Sequence, residues 1–142
     1  MTRPGFQFST RFRVRYSEID GQKIVFNSRY LEYADVALTE FWRWANLAEI
    51  GTDWLDAEFN VAHAELDYKV PLRLDDMVEA FVRIERVGNS SMMQRIDLCH
   101  ADTGVLHATV GIVSVHVNLQ TRRPERIADS VRARLIALGA EA

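Results

Sequence analysis

The change of hydrophobic period along this chain constrains its fold more than any other feature. Over residues 6–16, Phe6, Phe8, Phe12, Val14 and Tyr16 alternate with Gln7, Ser9, Arg11, Arg13 and Arg15, the period of a half-buried strand. From Ser28 the period becomes helical. Tyr30, Tyr33, Ala34, Ala37, Leu38, Phe41, Trp44 and Ala45 recur every three or four residues, which predicts one apolar stripe on a helix of about five turns. Glu32, Asp35, Thr39, Glu40 and Arg43 lie off that stripe. Asn27 or Ser28 can cap the start, and Asn46 and Gly51 can stop the helix. Period two then returns over residues 61–70, up to Pro71, and residues 77–87, 91–100 and 105–118 read as further strands, the first of them bounded by Asp75-Asp76 and Gly88-Asn89-Ser90. Ala101-Asp102-Thr103-Gly104 reads as a hairpin turn between the last two segments. A short helix, about 128–138, closes the chain.

One helix between a first strand and four later ones predicts the α+β class, with the helix on one face of an antiparallel sheet of about five strands. With 142 residues, no repeat and no Pro/Gly/Ser-rich linker, residues 1–142 are expected to form a single domain. A lone helix covers only part of such a sheet, and sheet edges need protection, so a homodimer or homotetramer is expected.

Composition excludes several function classes. A formal net charge of -3 gives no general attraction to nucleic acid. The single cysteine, Cys99, excludes an intrachain disulfide framework and a Cys-rich zinc site. Residues 1–10 contain no signal-peptide run, and no stretch approaches the ~18 apolar residues of a spanning helix, so a soluble, cytoplasmic protein is expected. There is no Walker loop and no dinucleotide fingerprint. Gly88-Asn89-Ser90-Ser91-Met92 lacks the second glycine of a nucleophile elbow. His100 and His107 can face each other across the hairpin, but a metal site needs a third ligand. The expectation is two surface histidines and no metal.

Two carboxylates, Glu18 and Asp20, stand in the loop Ser17-Glu18-Ile19-Asp20-Gly21-Gln22 that leads toward the long helix. A helix start offers unpaired N–H groups and a partial positive charge. Such a terminus suits an oxygen that gains negative charge during a reaction. A thioester fits this equipment. Its leaving group is a thiol, with a pKa near ~8.5 if it resembles Cys, and departs as a thiolate without a strong acid. One carboxylate, as nucleophile or as general base for water, then suffices. The plainer readings are that Asp20, just before Gly21, is a turn residue and that Glu18 is a solvated loop charge.

The segment from Tyr16 through Asp20, Ile24-Val25-Phe26 and Arg29-Tyr30 resembles the hotdog thioesterases related to 4-hydroxybenzoyl-CoA thioesterase, including the bacterial acyl-CoA thioesterases of the Tol-Pal operon type. The helix run Asp35-Val36-Ala37-Leu38-Thr39-Glu40-Phe41 is similar to the family's acidic-Ala-x-Thr-Glu-Phe run, and Tyr68-Lys69-Val70-Pro71-Leu72 to its Tyr-x-x-Pro-Leu strand end. The resemblance covers about residues 11–118 and implies a hotdog fold, a sheet wrapped on one central helix, with acyl-CoA as substrate and no cofactor. It implies that Asp20 matches the catalytic aspartate and that the backbone N–H near Asn27 polarises the thioester carbonyl. Asp35 matches the helix acid that some members use instead or as well. Arg122 and Arg123, in a polar loop over residues 120–126, are candidates for the coenzyme A phosphates, because Arg pairs well with phosphate.

The chain departs from the family at Lys23, where many members have Gly, and at Ile24 and Asn27, either of which is often His. These departures motivate the alternative reading, a non-catalytic acyl-thioester binding module on the same fold. A hotdog dehydratase ranks last, because no His stands near Asp20.

Overall fold

In the computed structural model, which describes residues 2–142, the strands are β1 (Phe8–Arg13), β2 (Phe59–Tyr68), β3 (Met77–Val87), β4 (Ser91–His100) and β5 (Leu106–His116). They form one antiparallel sheet in the order β1-β3-β4-β5-β2. The helices are α1 (Arg29–Ala45), α2 (Thr52–Leu55) and α3 (Asp129–Ala137). The α+β expectation holds, and β3 and β4 have the predicted bounds, 77–87 and 91–100. β1 is shorter than predicted. It pairs with β3 from Phe8 opposite Val82 to Arg13 opposite Met77, the first residue of β3. Beyond Arg13 the alternating residues have no partner strand. Tyr16 therefore opens a 3-10 turn, Tyr16–Glu18, and is 78% exposed.

The chain forms two compact units. The first comprises the segment ending at Phe41 together with Leu66–Val82 and Ile96–Val110. Here the predicted helix stripe is buried: Tyr30, Tyr33, Ala34, Ala37, Leu38 and Phe41 all face inward. Phe41 meets Phe8 edge-on at 5.6 Å, and Tyr33 meets Phe12 at 5.0 Å, so α1 packs on β1 through aromatic pairs. Val78, Phe81, Ile96, Leu98 and Cys99 are also buried. Burying each large apolar side chain stabilises the fold by roughly 1.5–3 kcal/mol relative to exposure. Buried Glu79 is satisfied by Ser9 Oγ at 2.6 Å and Arg11 Nε at 3.2 Å.

The second unit comprises Trp42–Glu65, Arg83–Arg95 and Gly111–Ala142. It holds the last turn of α1, where Trp44, although on the stripe, is 44% exposed just before the chain turns away at Asn46 (φ 53°). A 3-10 turn, Leu47–Ile50, and α2 follow; neither is anticipated by the sequence. Arg134 on α3 donates from Nη1 to the carbonyls of Ala45 (2.9 Å) and Asn46 (3.0 Å). A cation there satisfies carbonyls that the helix end leaves open and complements its negative pole. The C-terminal tail pairs alongside β3: Glu141 N–H donates to the Glu85 carbonyl and Val87 N–H to the Glu141 carbonyl. Among the described residues, no helix is long and apolar enough to cross a membrane.

Candidate active site

The loop between β1 and α1 is a miniature hairpin. Ile19 bridges Val25, Asp20 N–H donates to the Ile24 carbonyl at 2.9 Å, and Lys23 N–H returns to the Asp20 carbonyl at 2.9 Å. Lys23 itself lies in the left-handed region, φ 64°. That conformation is the one glycine adopts without steric cost. Lysine thus holds the backbone shape that a glycine would serve there. Val25 N–H donates to the Leu72 carbonyl at 2.8 Å and Phe26 N–H to the Glu18 carbonyl at 3.0 Å, which stitches the hairpin to its surroundings.

Glu18 is not the solvated charge its sequence position suggests; it is only 7% exposed. Its Oε1 accepts the Arg15 N–H at 2.8 Å and the Tyr33 hydroxyl at 3.0 Å, and its Oε2 pairs with the Arg15 guanidinium at 3.0 Å. Burial disfavours this carboxylate, yet the bonds from Arg15 and Tyr33 outweigh it and lower its pKa. Burial, followed by the bond to Glu18, raises the pKa of the Tyr33 hydroxyl. The sequence carries half of this arrangement, the i,i+3 spacing of Arg15 and Glu18. The contact with Tyr33 is tertiary.

Asp20 is half-buried, and its Oδ1 accepts the Gln22 N–H at 2.7 Å, an Asx turn. No described residue donates to Oδ2. The carboxylate lines a cavity of about 670 Å³, whose walls also include Phe26, Asn27, Tyr30, Tyr68 and Val70. That volume lies in the range of about 300–1,000 Å³ usual for small-molecule sites. Asp20 also borders a second depression, of about 650 Å³, with Tyr16, Lys23 and Leu74.

Asn27 is exposed and lies two residues before α1, and among the described residues nothing accepts the N–H of Asn27 or of Ser28. The Asn27 carbonyl accepts the Tyr68 hydroxyl at 3.0 Å. Tyr30 is buried, and its hydroxyl accepts the Leu72 N–H at 3.2 Å, so it serves the core and the cavity wall together.

The structure thus brings Asp20 and Asn27 to one cavity. Asp35 is exposed on α1 and does not line it. Arg122 and Arg123 belong to the second unit, in a turn where Asn118 N–H donates to the Arg123 carbonyl and Arg122 N–H to the Asn118 carbonyl. Both side chains are exposed there.

The expectation of two surface histidines fails at His107, which is 4% exposed. Its carbonyl accepts the N–H groups of Lys69 (2.8 Å) and Val70 (3.1 Å), and its Nδ1 donates to the Val70 carbonyl at 2.8 Å. The ring is buried because β5 pairs at this point with the segment that leaves β2 and forms the cavity wall. His100 lies 5.9 Å away, centroid to centroid, with its Nδ1 accepting the N–H groups of Asp102 and Thr103.

Comparison with known proteins places this geometry. A family model for the thioesterase-like superfamily matches residues 14–135. The acyl-CoA thioesterase YbgC of Haemophilus influenzae is 26% identical over 127 residues, covering 89% of this chain and 92% of the relative. A solved thioesterase of Thermus thermophilus, complexed with coenzyme A and zinc, has a TM-score of 0.79 at 28% identity, covering 96% of this chain and 97% of its own. A 1,4-dihydroxy-2-naphthoyl-CoA thioesterase from Synechocystis has a TM-score of 0.82 at 16% identity, covering 92% and 96%, a likeness of fold alone. The fold is the hotdog fold, a five-stranded sheet with one long helix packed on it. The chain belongs to the thioesterase-like superfamily.

Proposed function

We propose that this protein hydrolyses an acyl-CoA thioester to the free acid and coenzyme A. One observation carries the reading: a half-buried carboxylate, Asp20, and the unpaired N–H of Asn27 at a helix start belong to the same largely apolar cavity. The acyl group would occupy that cavity. The Asn27 N–H would hold the carbonyl oxygen as it gains charge. Asp20, through Oδ2, would attack the carbonyl carbon or take a proton from the attacking water, and the thiolate of coenzyme A would leave. Arg122 and Arg123 are the proposed contacts for the coenzyme A phosphates, and a drop in affinity and salt dependence in the double Ala variant is their test.

A second reading rests on the Asx turn. If Asp20 only shapes its loop, the protein binds acyl thioesters without cleaving them. Asp20→Asn separates the two, because an Asn Oδ1 can still accept the Gln22 N–H while the carboxylate is gone. Thiol release from short, long and aromatic acyl-CoAs is expected to fall by about 10²–10⁴-fold in this variant. Undiminished release would remove Asp20 from the reaction and make Asp35 the next carboxylate to substitute. No release by the unaltered protein on any substrate would favour the binding module.

A further inference from the structure

Tyr68 ends β2 and reaches the start of α1. Its hydroxyl donates to the Asn27 carbonyl at 3.0 Å, although the residue is 54% exposed. The ring is braced from two sides. It stands edge-on to buried Tyr30, with centroids 5.0 Å apart and planes at 86°. The next two residues, Lys69 and Val70, are held through their N–H groups by the His107 carbonyl. A hydroxyl on a braced ring is well placed to hold a partner.

What it holds is a peptide unit. The Asn27 carbonyl and the Ser28 N–H are the two ends of one rigid plane. The carbonyls of Phe26 and Asn27 already accept the N–H groups of Arg29 and Tyr30, at 2.9 and 3.5 Å, so this plane has the orientation of a first helical turn. Its N–H therefore points out of the helix start, where no described residue accepts it. A donor on the carbonyl also polarises the peptide and makes its N–H a better donor.

We infer that Tyr68 is a positioning residue for the proposed thioester site: its hydroxyl locks the Asn27–Ser28 peptide so that the Ser28 N–H joins the Asn27 N–H as a donor to the thioester oxygen. The inference rests on the hydrolytic reading for its substrate, while the peptide lock itself is independent of turnover. A hydroxyl that orients a donor to the developing oxyanion changes kcat, whereas one that merely shaped the acyl pocket would change KM.

The test is Tyr68→Phe, which keeps the ring against Tyr30 and removes only the hydroxyl. Deleting a direct oxyanion donor costs about 10²–10³ in kcat. Loosening one is expected to cost about tenfold, with KM within about twofold of the parent. In parallel, the Ser28 amide proton is followed by NMR during titration with acyl-CoA ketone analogues, which keep the carbonyl and replace the sulfur by methylene. A downfield shift in the parent protein that shrinks in Tyr68→Phe supports the inference. Unchanged kcat in the variant, or a Ser28 amide that does not respond to the ketone in the parent, overturns it while hydrolysis stands. A Tyr68-dependent amide shift in a protein that cleaves none of the acyl-CoAs supports the lock and sinks the hydrolytic reading instead.

Discussion

Lys23 carries the conformational cost of the Asp20 loop. Its φ of 64° is costly for a residue with a Cβ, by roughly 1–2 kcal/mol. Gly21, two residues earlier, sits at ordinary φ with open space where a Cβ would be, so the turn does not depend on glycine there. Lys23→Gly removes the strain but gives the unfolded chain more freedom to lose. The net expectation is a gain of about 0.5–1 kcal/mol, read as a higher urea midpoint with an unchanged slope. A lower midpoint would show that the lysine side chain makes up for its backbone. In the sequence, Lys23 looks like a break in the family pattern. The backbone places Lys23 in the left-handed conformation that glycine adopts without steric cost, something residue identity alone does not report.

The same loop is fixed to α1 as an element by the Glu18–Tyr33 clamp. The folded pKa of Glu18 lies below its ordinary value of 4.5, so folding favours the carboxylate form. The clamp is at full strength above about pH 4.5 and is lost as the pH falls through the lower folded pKa. Glu18→Gln is expected to lose about 1–2 kcal/mol at neutral pH and to flatten the acid limb of the stability profile. A variant whose stability parallels the parent from pH 3 to 7, measured by denaturant titration, would contradict the clamp. Long elements were legible for two reasons: α1 repeats its stripe over several turns, and β3 and β4 are bounded by the turn residues Asp75-Asp76, Gly88-Asn89-Ser90 and Ala101-Asp102-Thr103-Gly104. α2 has four residues, too few to establish any period. His107 sits on an alternating strand, but histidine is common both inside and outside proteins, so its burial is decided by the segment packed against it. Asp20 and Asn27 were legible as neighbours of a helix start. Tyr68 was not, because it lies 41 residues from Asn27 and the two meet only where the Asp20 hairpin is bonded to the segment after β2, through Val25 and Leu72.

At the scale of the whole molecule, the sheet has two edges, β1 and β2. Most side chains of β2 are exposed, Val61 and Tyr68 among them. An exposed edge strand with apolar residues is a template for pairing unless something covers it. The expected state in solution is a dimer or tetramer, and light scattering should give a mass of two or four times 16.3 kDa. A mass of one chain at micromolar concentration would refute this. Buried Cys99 has a practical consequence. The reaction proposed here liberates a sulfhydryl, and the only sulfhydryl the chain owns is sealed in its interior, its ionisation further suppressed by burial. A colorimetric thiol reagent should therefore count coenzyme A alone while the protein is native. It should register one additional equivalent per chain once the protein is denatured, so a single reagent can follow both turnover and loss of the fold.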